Sequence, residues 1–116
     1  MLKHPVFRPT LERPGVAARL AKMISDYSGW RWVNDESLRP LVPPAIQRLE
    51  SITASTLVIV GGRDLPDFHT IADVLHRCIP HARKVVMPGV GHMANMEDPE
   101  RFNRIVLEFL AGATPR

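Results

Sequence analysis

A histidine that follows two closely spaced glycines is the residue of this sequence best suited to acid–base chemistry. His92 lies in the run GVGHMA at residues 89–94, directly after a short apolar run that ends at Met87. Glycine tolerates positive φ, so Gly89 and Gly91 let the backbone turn sharply and expose the imidazole. Imidazole titrates near neutral pH and serves as a general acid or base. The pattern predicts a catalytic histidine on a tight loop; the alternative is a solvent-exposed histidine in a turn.

A carboxylate follows a second apolar run. The run TLVIV at residues 56–60 leads through two glycines and Arg63 to Asp64. Active sites of open parallel sheets gather at the carboxyl ends of the strands, so Asp64 and His92 are expected to meet there. Asp64 would accept the Nδ1–H of His92, fix its tautomer and stabilise the imidazolium. Asp67 is the other candidate, but it fits better as a carboxylate in the first turn of the next helix.

Periodic apolar residues and proline positions predict the elements that hold these two side chains. Residues 1–13 are expected to be irregular, because Pro5 and Pro9 discourage a helix. Residues from Ser28 to Pro44 read as a linker. The predicted helices are Pro14–Tyr27, Ala45–Leu49, Pro66–Ile79 and Pro99–Ala111, and the predicted strands are Thr56–Val60 and Lys84–Met87.

The alternation of strands and helices indicates an α/β fold. It is typical of βαβ units, which form a parallel sheet. The unbroken apolar run Leu57–Val60 is typical of a strand covered on both faces. Two strands and two helices are not expected to cover both faces of a sheet. The chain therefore reads as the terminal part of a larger α/β domain.

Composition places the chain among ordinary globular proteins. Its 116 residues are 45% hydrophobic and 23% charged, with a net charge of +3 spread along the sequence. No basic cluster predicts nucleic-acid binding, and no apolar run predicts a membrane span or a signal peptide. Cys78 is the single cysteine, which excludes an internal disulfide and is consistent with a reducing compartment. We expect a soluble cytoplasmic protein.

Metal and nucleotide sites have weak support in this sequence. The five histidines lack metal-ligand spacing. His69 and His76 share a helix face but have no clustered carboxylate or thiolate partners. The glycine pair after the first strand is not followed by the Gly-x-Gly-x-x-Gly pattern of dinucleotide binding. No cofactor and no metal are expected.

Residues 55–111 resemble the C-terminal end of the α/β-hydrolase fold family, whose last two strands deliver the catalytic acid and histidine. The matching pieces are LVIVGGRD at residues 57–64 and GVGH at residues 89–92, followed by Glu97 and Pro99. The separation of 28 residues between Asp64 and His92 also suits that family. The resemblance implies that residues 1–50 are the end of a helical cap and the return to the core, and that residues 51–116 are the C-terminal part of the core.

The family's nucleophile has no counterpart in this sequence. The family orders its triad as Ser, then Asp or Glu, then His, with the serine in a Gly-x-Ser-x-Gly turn. None of the five serines, Ser25, Ser28, Ser37, Ser51 and Ser55, stands in that pattern. The donors of the oxyanion hole are also missing, so the chain alone should not turn over substrate. An aspartate nucleophile, as in related dehalogenases and epoxide hydrolases, stays open.

Three further side chains are candidates for substrate contact. Trp30 and Trp32 stand in the predicted linker and could line an apolar pocket or a lid. Packing is the better explanation of both, since tryptophan buries a large area wherever it occurs. Met93, beside His92, either lines the pocket or packs in the core.

Two functions are therefore predicted. In the first, the chain is the acid and base end of an esterase- or lactonase-like hydrolase that acts on a small ester-like substrate. Its missing N-terminal half would then supply the nucleophile. In the second, it is a truncated, non-catalytic module that oligomerises or binds another protein through an uncovered sheet face.

Overall fold

The computed structural model describes residues 2–34 and 39–112. Within them the chain forms one two-stranded sheet, several helices and two 3₁₀ segments. The α-helices are α1 (Arg8–Leu11), α2 (Pro14–Asp26), α3 (Trp30–Val33), α4 (Pro66–Cys78), α5 (Ala94–Glu97) and α6 (Pro99–Gly112), and the strands are β1 (Thr56–Gly61) and β2 (Ala82–Met87).

The two strands pair in parallel, with Thr56 opposite Ala82 and Gly61 opposite Met87. Helix α4 connects them, which is the βαβ arrangement that the alternating pattern predicted. Strand β2 begins at Ala82 rather than at the predicted Lys84. Because both strands end at the same edge, the loops that follow Gly61 and Met87 emerge side by side.

Apolar side chains of the sheet divide into two clusters, one on each face, as the side-chain alternation of a strand requires. Helix α4 packs on one cluster and helix α6 on the other. The first contains Val58, Val60, Phe68, Ala72 and Leu75, and the second contains Ile59, Val85, Met87, Val90, Ala94, Phe102 and Ile105.

A helix contacts each face of the sheet, so neither face of the two strands is bare. Association through the exposed parts of the sheet stays a prediction. The exposed parts of the sheet include the side chain of Val86 on β2, which is 43% accessible, and the edge of β1 that faces away from β2. Among the described residues, β1 pairs with β2 alone.

The first residues are more regular than predicted. A 3₁₀ turn spans Pro5–Phe7 and α1 follows directly. Both prolines lie within the first two positions of their helix, where the N–H that proline lacks has no intrahelical partner to lose. Pro5 and Pro9 therefore start short helices instead of preventing them. This error matters because Pro9 and Thr10 are buried.

The region between α2 and β1 follows the prediction only in part. The predicted linker contains α3, and its residues 35–38 lie outside the described part of the chain. The predicted helix at Ala45 is a 3₁₀ segment, Ala45–Ser51. Helix α5 was not predicted. No helix in residues 2–34 and 39–112 combines the length and apolarity that crossing a membrane requires.

Candidate active site

The loop after β2 holds His92 outside the core while anchoring both of its flanks inside. Gly89 has φ 80°, a left-handed conformation that favours glycine, and it turns the chain after the strand. Val90 is 1% accessible and packs with Met87 and Ala94. With these neighbours buried, the side chain of His92 faces outward at the edge of the sheet.

The loop after β1 is joined to the histidine loop by backbone hydrogen bonds. The N–H of Gly62 donates to the carbonyl of Met87 at 2.7 Å, and the N–H of Arg63 donates to the carbonyl of Val90 at 2.8 Å. The N–H of Asp64 donates back to the carbonyl of Gly61 at 3.0 Å, which closes a tight turn. These bonds fix the backbone of the acid relative to the backbone of the histidine.

The structure brings Asp64 and His92 into direct contact. Nδ1 of His92 lies 2.9 Å from Oδ2 of Asp64, and Oδ1 of Asp64 accepts the N–H of Leu65 at 2.8 Å. An ionised carboxylate only accepts hydrogen bonds, so the proton at this contact belongs to Nδ1. Nε2 of His92 is then free to accept a proton from a substrate or nucleophile.

Burial differs between the two partners in the way an acid–base pair requires. The side chain of Asp64 is 5% exposed and that of His92 is 35% exposed. The carboxylate is shielded from water, which strengthens its hydrogen bond to the ring. The imidazole keeps one edge accessible for proton transfer.

Phe68 of α4 packs against the imidazole. The ring centroids of Phe68 and His92 lie 4.3 Å apart, with 42° between the ring planes. Together with the hydrogen bond to Asp64, this contact restricts rotation of the imidazole. Sequence reasoning placed Phe68 only in the apolar face of α4; the available signal was that α4 begins two residues after Asp64, so its first turn must lie beside the acid.

A cavity of about 270 Å³ opens beside the pair. Its walls include Asp64, His92 and Asn95 among mostly apolar side chains. It is lined by residues 58–61 of β1 and by none of β2, so it follows the unpaired edge of β1. Among the described residues, no serine, threonine or cysteine lines this cavity.

Glu97 is a site residue whose role sequence reasoning missed, although it was part of the matched pattern. It is 5% exposed, and its Oε2 accepts the N–H of Gly91 at 2.7 Å. Its Oε1 accepts the hydroxyl of Thr10 at 2.5 Å. The residues around it, NMEDPE at 95–100, are mostly polar, so its place in the matched pattern was the one available signal. An ionised group is buried only when it is hydrogen-bonded.

The other predicted site residues lie elsewhere. Trp30 and Trp32 are 54% and 74% exposed on α3 and do not line the cavity at His92. Met93 is half-buried at the start of α5 and does not line it either. Their contact with substrate stays a prediction. Asp67 lies in the first turn of α4, where the sequence placed it. Asp64 is the carboxylate that contacts the imidazole.

No cluster of three or more His, Cys, Asp or Glu side chains capable of holding a metal ion occurs in the described ranges. The site thus combines a buried carboxylate and a half-exposed imidazole with an open cavity. This arrangement can take up a proton at Nε2 and stabilise the resulting positive charge.

The fold and this strand-end pair define the class: the chain has the fold of the C-terminal part of an α/β-hydrolase. MenH from S. aureus has a similar structure, with a TM-score of 0.74 and 24% sequence identity over 98% of this chain and 44% of the MenH chain. At that identity the likeness shows the fold. The prediction of an α/β-hydrolase fold is confirmed.

Sequence relatives support the same fold family over the part of the chain that they match. "Putative carbamate hydrolase RutD" of Cronobacter turicensis is 33% identical over 69 residues, which is 60% of this chain and 26% of that protein. "Putative 2-succinyl-6-hydroxy-2,4-cyclohexadiene-1-carboxylate synthase" of Bacillus subtilis is 35% identical over 68 residues, 59% of this chain and 24% of that protein. The matches thus span about a quarter of each relative's length. No family model matches the sequence.

Proposed function

We propose that this chain carries the base and the acid of a serine-type hydrolase, with His92 as general base and Asp64 as the carboxylate that orients it. The observation behind the proposal is the 2.9 Å contact between a buried Asp64 and a half-exposed His92 at the mouth of a cavity. A serine from outside the given sequence would complete the triad.

The proposed reaction moves one proton between oxygen and nitrogen. Nε2 of His92 takes the proton of the serine hydroxyl while the serine oxygen attacks the substrate carbonyl. Asp64 stabilises the imidazolium, which then gives its proton to the leaving group as the bond between that group and the acyl carbon breaks, leaving the acyl–serine. Water repeats the sequence: it gives a proton to Nε2, attacks the acyl carbon, and serine leaves with that proton.

The proposed substrate is a small molecule with an ester, lactone or carbamate carbonyl. The name of one relative, a carbamate hydrolase, is consistent with this class, and the other relative's name, a synthase, shows that related chains need not be hydrolases. The mostly apolar wall of the cavity suits an uncharged acyl group. Trp30, Trp32 and Met93 remain proposed contacts for more distant parts of the substrate.

The unpaired edge of β1 is where the rest of the site would join. The cavity follows this edge and contains Asp64 and His92. A nucleophile carried by a neighbouring strand or its following turn would therefore reach Nε2 from this side. The 116 residues alone are expected to give only background hydrolysis, because they hold no serine in the required pattern.

The test is complementation. The coding region next to this sequence is inspected for a Gly-x-Ser-x-Gly segment, and that segment is produced together with the chain. Hydrolysis of p-nitrophenyl acetate is then measured for wild type, His92→Ala and the control His76→Ala, whose histidine is exposed on α4. We expect saturable hydrolysis that only His92→Ala abolishes. Equal activity of wild type and His92→Ala would refute the proposal.

Association is a second proposal, supported by exposed apolar surface that adjoins the site cavity and shares Ile71 and Leu75 with it. An apolar groove of about 380 Å³ lies between the 3₁₀ segment Ala45–Ser51 and α4. Ile46 and Ile71 in its walls are 66% and 50% exposed. With the free edge of β1, this surface would bind the nucleophile-bearing part, a second copy or another protein.

A further inference from the structure

Residues 9–13 contact the histidine loop at several points. The hydroxyl of Thr10 donates to Oε1 of Glu97 at 2.5 Å. The guanidinium of Arg13 donates to the carbonyl of Glu97 at 2.9 Å and to the carbonyl of Gly89 at 3.1 Å. Residues 9–13, here named the clasp, thus hold the loop on both sides of His92.

The clasp also contacts the loop that carries the acid. Both carboxylate oxygens of Glu12 accept from the guanidinium of Arg63, at 2.6 and 2.8 Å. Arg63 directly precedes Asp64 in the sequence. One short segment is therefore bonded to the neighbours of both site residues, which are themselves 28 residues apart.

Close packing leaves the clasp little freedom against the histidine loop. A Cβ built on Gly91 would lie 2.6 Å from Cγ of Pro9, so the ring and the glycine backbone are in direct contact. Thr10 is fully buried and Glu97 is 5% exposed. Each oxygen of the buried carboxylate has one hydrogen-bond donor, Thr10 on one side and the N–H of Gly91 on the other.

We propose that Thr10 and Glu97 are positioning residues that set the orientation of His92. The peptide group that Glu97 holds belongs to Gly91, the residue before the histidine, so its tilt determines where the imidazole points. Removing the Thr10 hydroxyl leaves Oε1 of a buried carboxylate without its donor, and such a group turns toward water. The carboxylate would then release Gly91, and the contact between His92 and Asp64 would loosen. Any effect of Thr10 and Glu97 on catalysis rests on the proposed function. Their effect on the orientation of His92 does not.

The test compares Thr10→Val with the control Thr53→Val in the full chain, folded together with its nucleophile-bearing part. Valine keeps the branched shape of threonine but cannot donate. Thr53 is exposed in the segment before β1 and lines neither the site cavity nor the apolar groove. Two signals are read by NMR: hydrogen exchange of the Gly91 amide, and the ¹H–¹⁵N signal of Nδ1 in His92. Amides of the β1–β2 ladder report whether the fold survives.

We expect Thr10→Val to accelerate exchange at Gly91 by roughly tenfold, the scale for a lost hydrogen bond to a charged group. It should also broaden the Nδ1–H signal of His92. The ladder amides and the Thr53→Val protein should stay unchanged, and Thr10→Ser should restore both signals. In Thr10→Val, kcat of hydrolysis should decrease while KM changes little.

Two results would overturn the proposal. The first is a Thr10→Val protein with unchanged Gly91 exchange and an unchanged Nδ1–H signal. The second is equal loss of protection at Gly91 and along the ladder, which would mean a general structural role. Failure of the proposed function has a different signature: both NMR signals would respond as expected while no variant, wild type included, hydrolysed an ester.

Discussion

Gly61 and Gly91 meet backbone to backbone where the two site loops leave the sheet. A Cβ built on Gly61 would lie 2.1 Å from the carbonyl oxygen of Gly91 and 2.6 Å from that of Val90. Real Cβ atoms do not approach backbone oxygens this closely. The contact allows the hydrogen bonds between the loops and hence the approach of Asp64 to His92.

Gly61→Ala should therefore destabilise the fold and separate the two loops. Overpacking against backbone, which cannot move aside like a flexible side chain, should lower the free energy of unfolding by about 3 kcal/mol or more. Urea unfolding followed by circular dichroism measures the change.

The matched control for that substitution is Gly15→Ala in α2. No atom lies within 4 Å of a Cβ at position 15. Alanine should leave stability unchanged or raise it by up to about 1 kcal/mol, as expected for a helical position. If Gly61→Ala were as stable as Gly15→Ala, the close packing of the two loops would not be a structural requirement.

Asp64→Asn should change the tautomer of His92 while leaving the fold intact. The amide oxygen can still accept the N–H of Leu65, but an amide N–H₂ directed at the ring would favour the tautomer with an unprotonated Nδ1. ¹⁵N chemical shifts of the imidazole report this change. Hydrolysis by the complemented protein should fall by about 10⁴-fold, the loss seen for the equivalent change in serine proteases.

Asp67→Asn is the control for this prediction, since Asp67 is an exposed residue in the first turn of α4. It should keep the wild-type tautomer and rate. A wild-type ¹⁵N pattern in Asp64→Asn would contradict the assigned hydrogen bond between Asp64 and Nδ1.

The stability that the ion pair between Glu12 of the clasp and Arg63 contributes should depend on pH. The hydrogen bond from Arg63 holds the pKa of Glu12 below its ordinary value, against a smaller opposing effect of burial. A carboxyl whose pKa is lower in the folded state stabilises the fold at pH values above its unfolded pKa, and this contribution disappears as pH falls through the folded pKa. Glu12→Gln should therefore be less stable than wild type at pH 7, by a small amount because the pair is exposed.

Urea midpoints of wild type and Glu12→Gln should converge as the pH is lowered through the acidic range. Glu50→Gln is the control, because Glu50 is exposed and lies outside the first turn of every α-helix that the structure describes. Its difference from wild type should stay near zero at every pH. A constant difference between wild type and Glu12→Gln down to low pH would show that the Glu12 charge is not the cause.

Much of the fold could be predicted because its signals are local. The unbroken apolar run at residues 57–60 indicated a buried strand, and apolar spacing after Pro66 and Pro99 indicated the two helices that cover the sheet. The meeting of Asp64 and His92 followed from a general rule, since parallel strands bring their carboxyl ends to one edge.

The clasp could not be predicted, because its contacts join distant parts of the chain. Thr10 and Glu97 are 87 residues apart, and no local pattern links a threonine after two prolines to a carboxylate beyond the histidine loop. Pro9 could either prevent or start a helix. In the structure its ring packs against Gly91, and packing is not visible in a single sequence.

The association proposal predicts that the 116 residues do not remain a simple monomer. Self-association is favoured by the unpaired edge of β1 and by the exposed side chains of Ile46 and Ile71 when no other chain covers them. Sedimentation velocity should show oligomers or aggregates for the chain alone and a defined complex after addition of its nucleophile-bearing part. A monodisperse monomer that unfolds cooperatively would contradict this prediction. Ile46→Lys should reduce association through the groove. Leu107→Lys should not, because the Leu107 side chain is exposed on α6, outside the groove.

The central claim is that His92 activates a serine supplied from outside this sequence. The most direct measurement is the rate at which a fluorophosphonate labels that serine in the complemented protein, because labelling requires the base but no particular substrate. We predict labelling of the Gly-x-Ser-x-Gly serine, a decrease of about 10³-fold or more in His92→Ala, and the wild-type rate in His76→Ala. Labelling of His92→Ala at the wild-type rate would contradict the account.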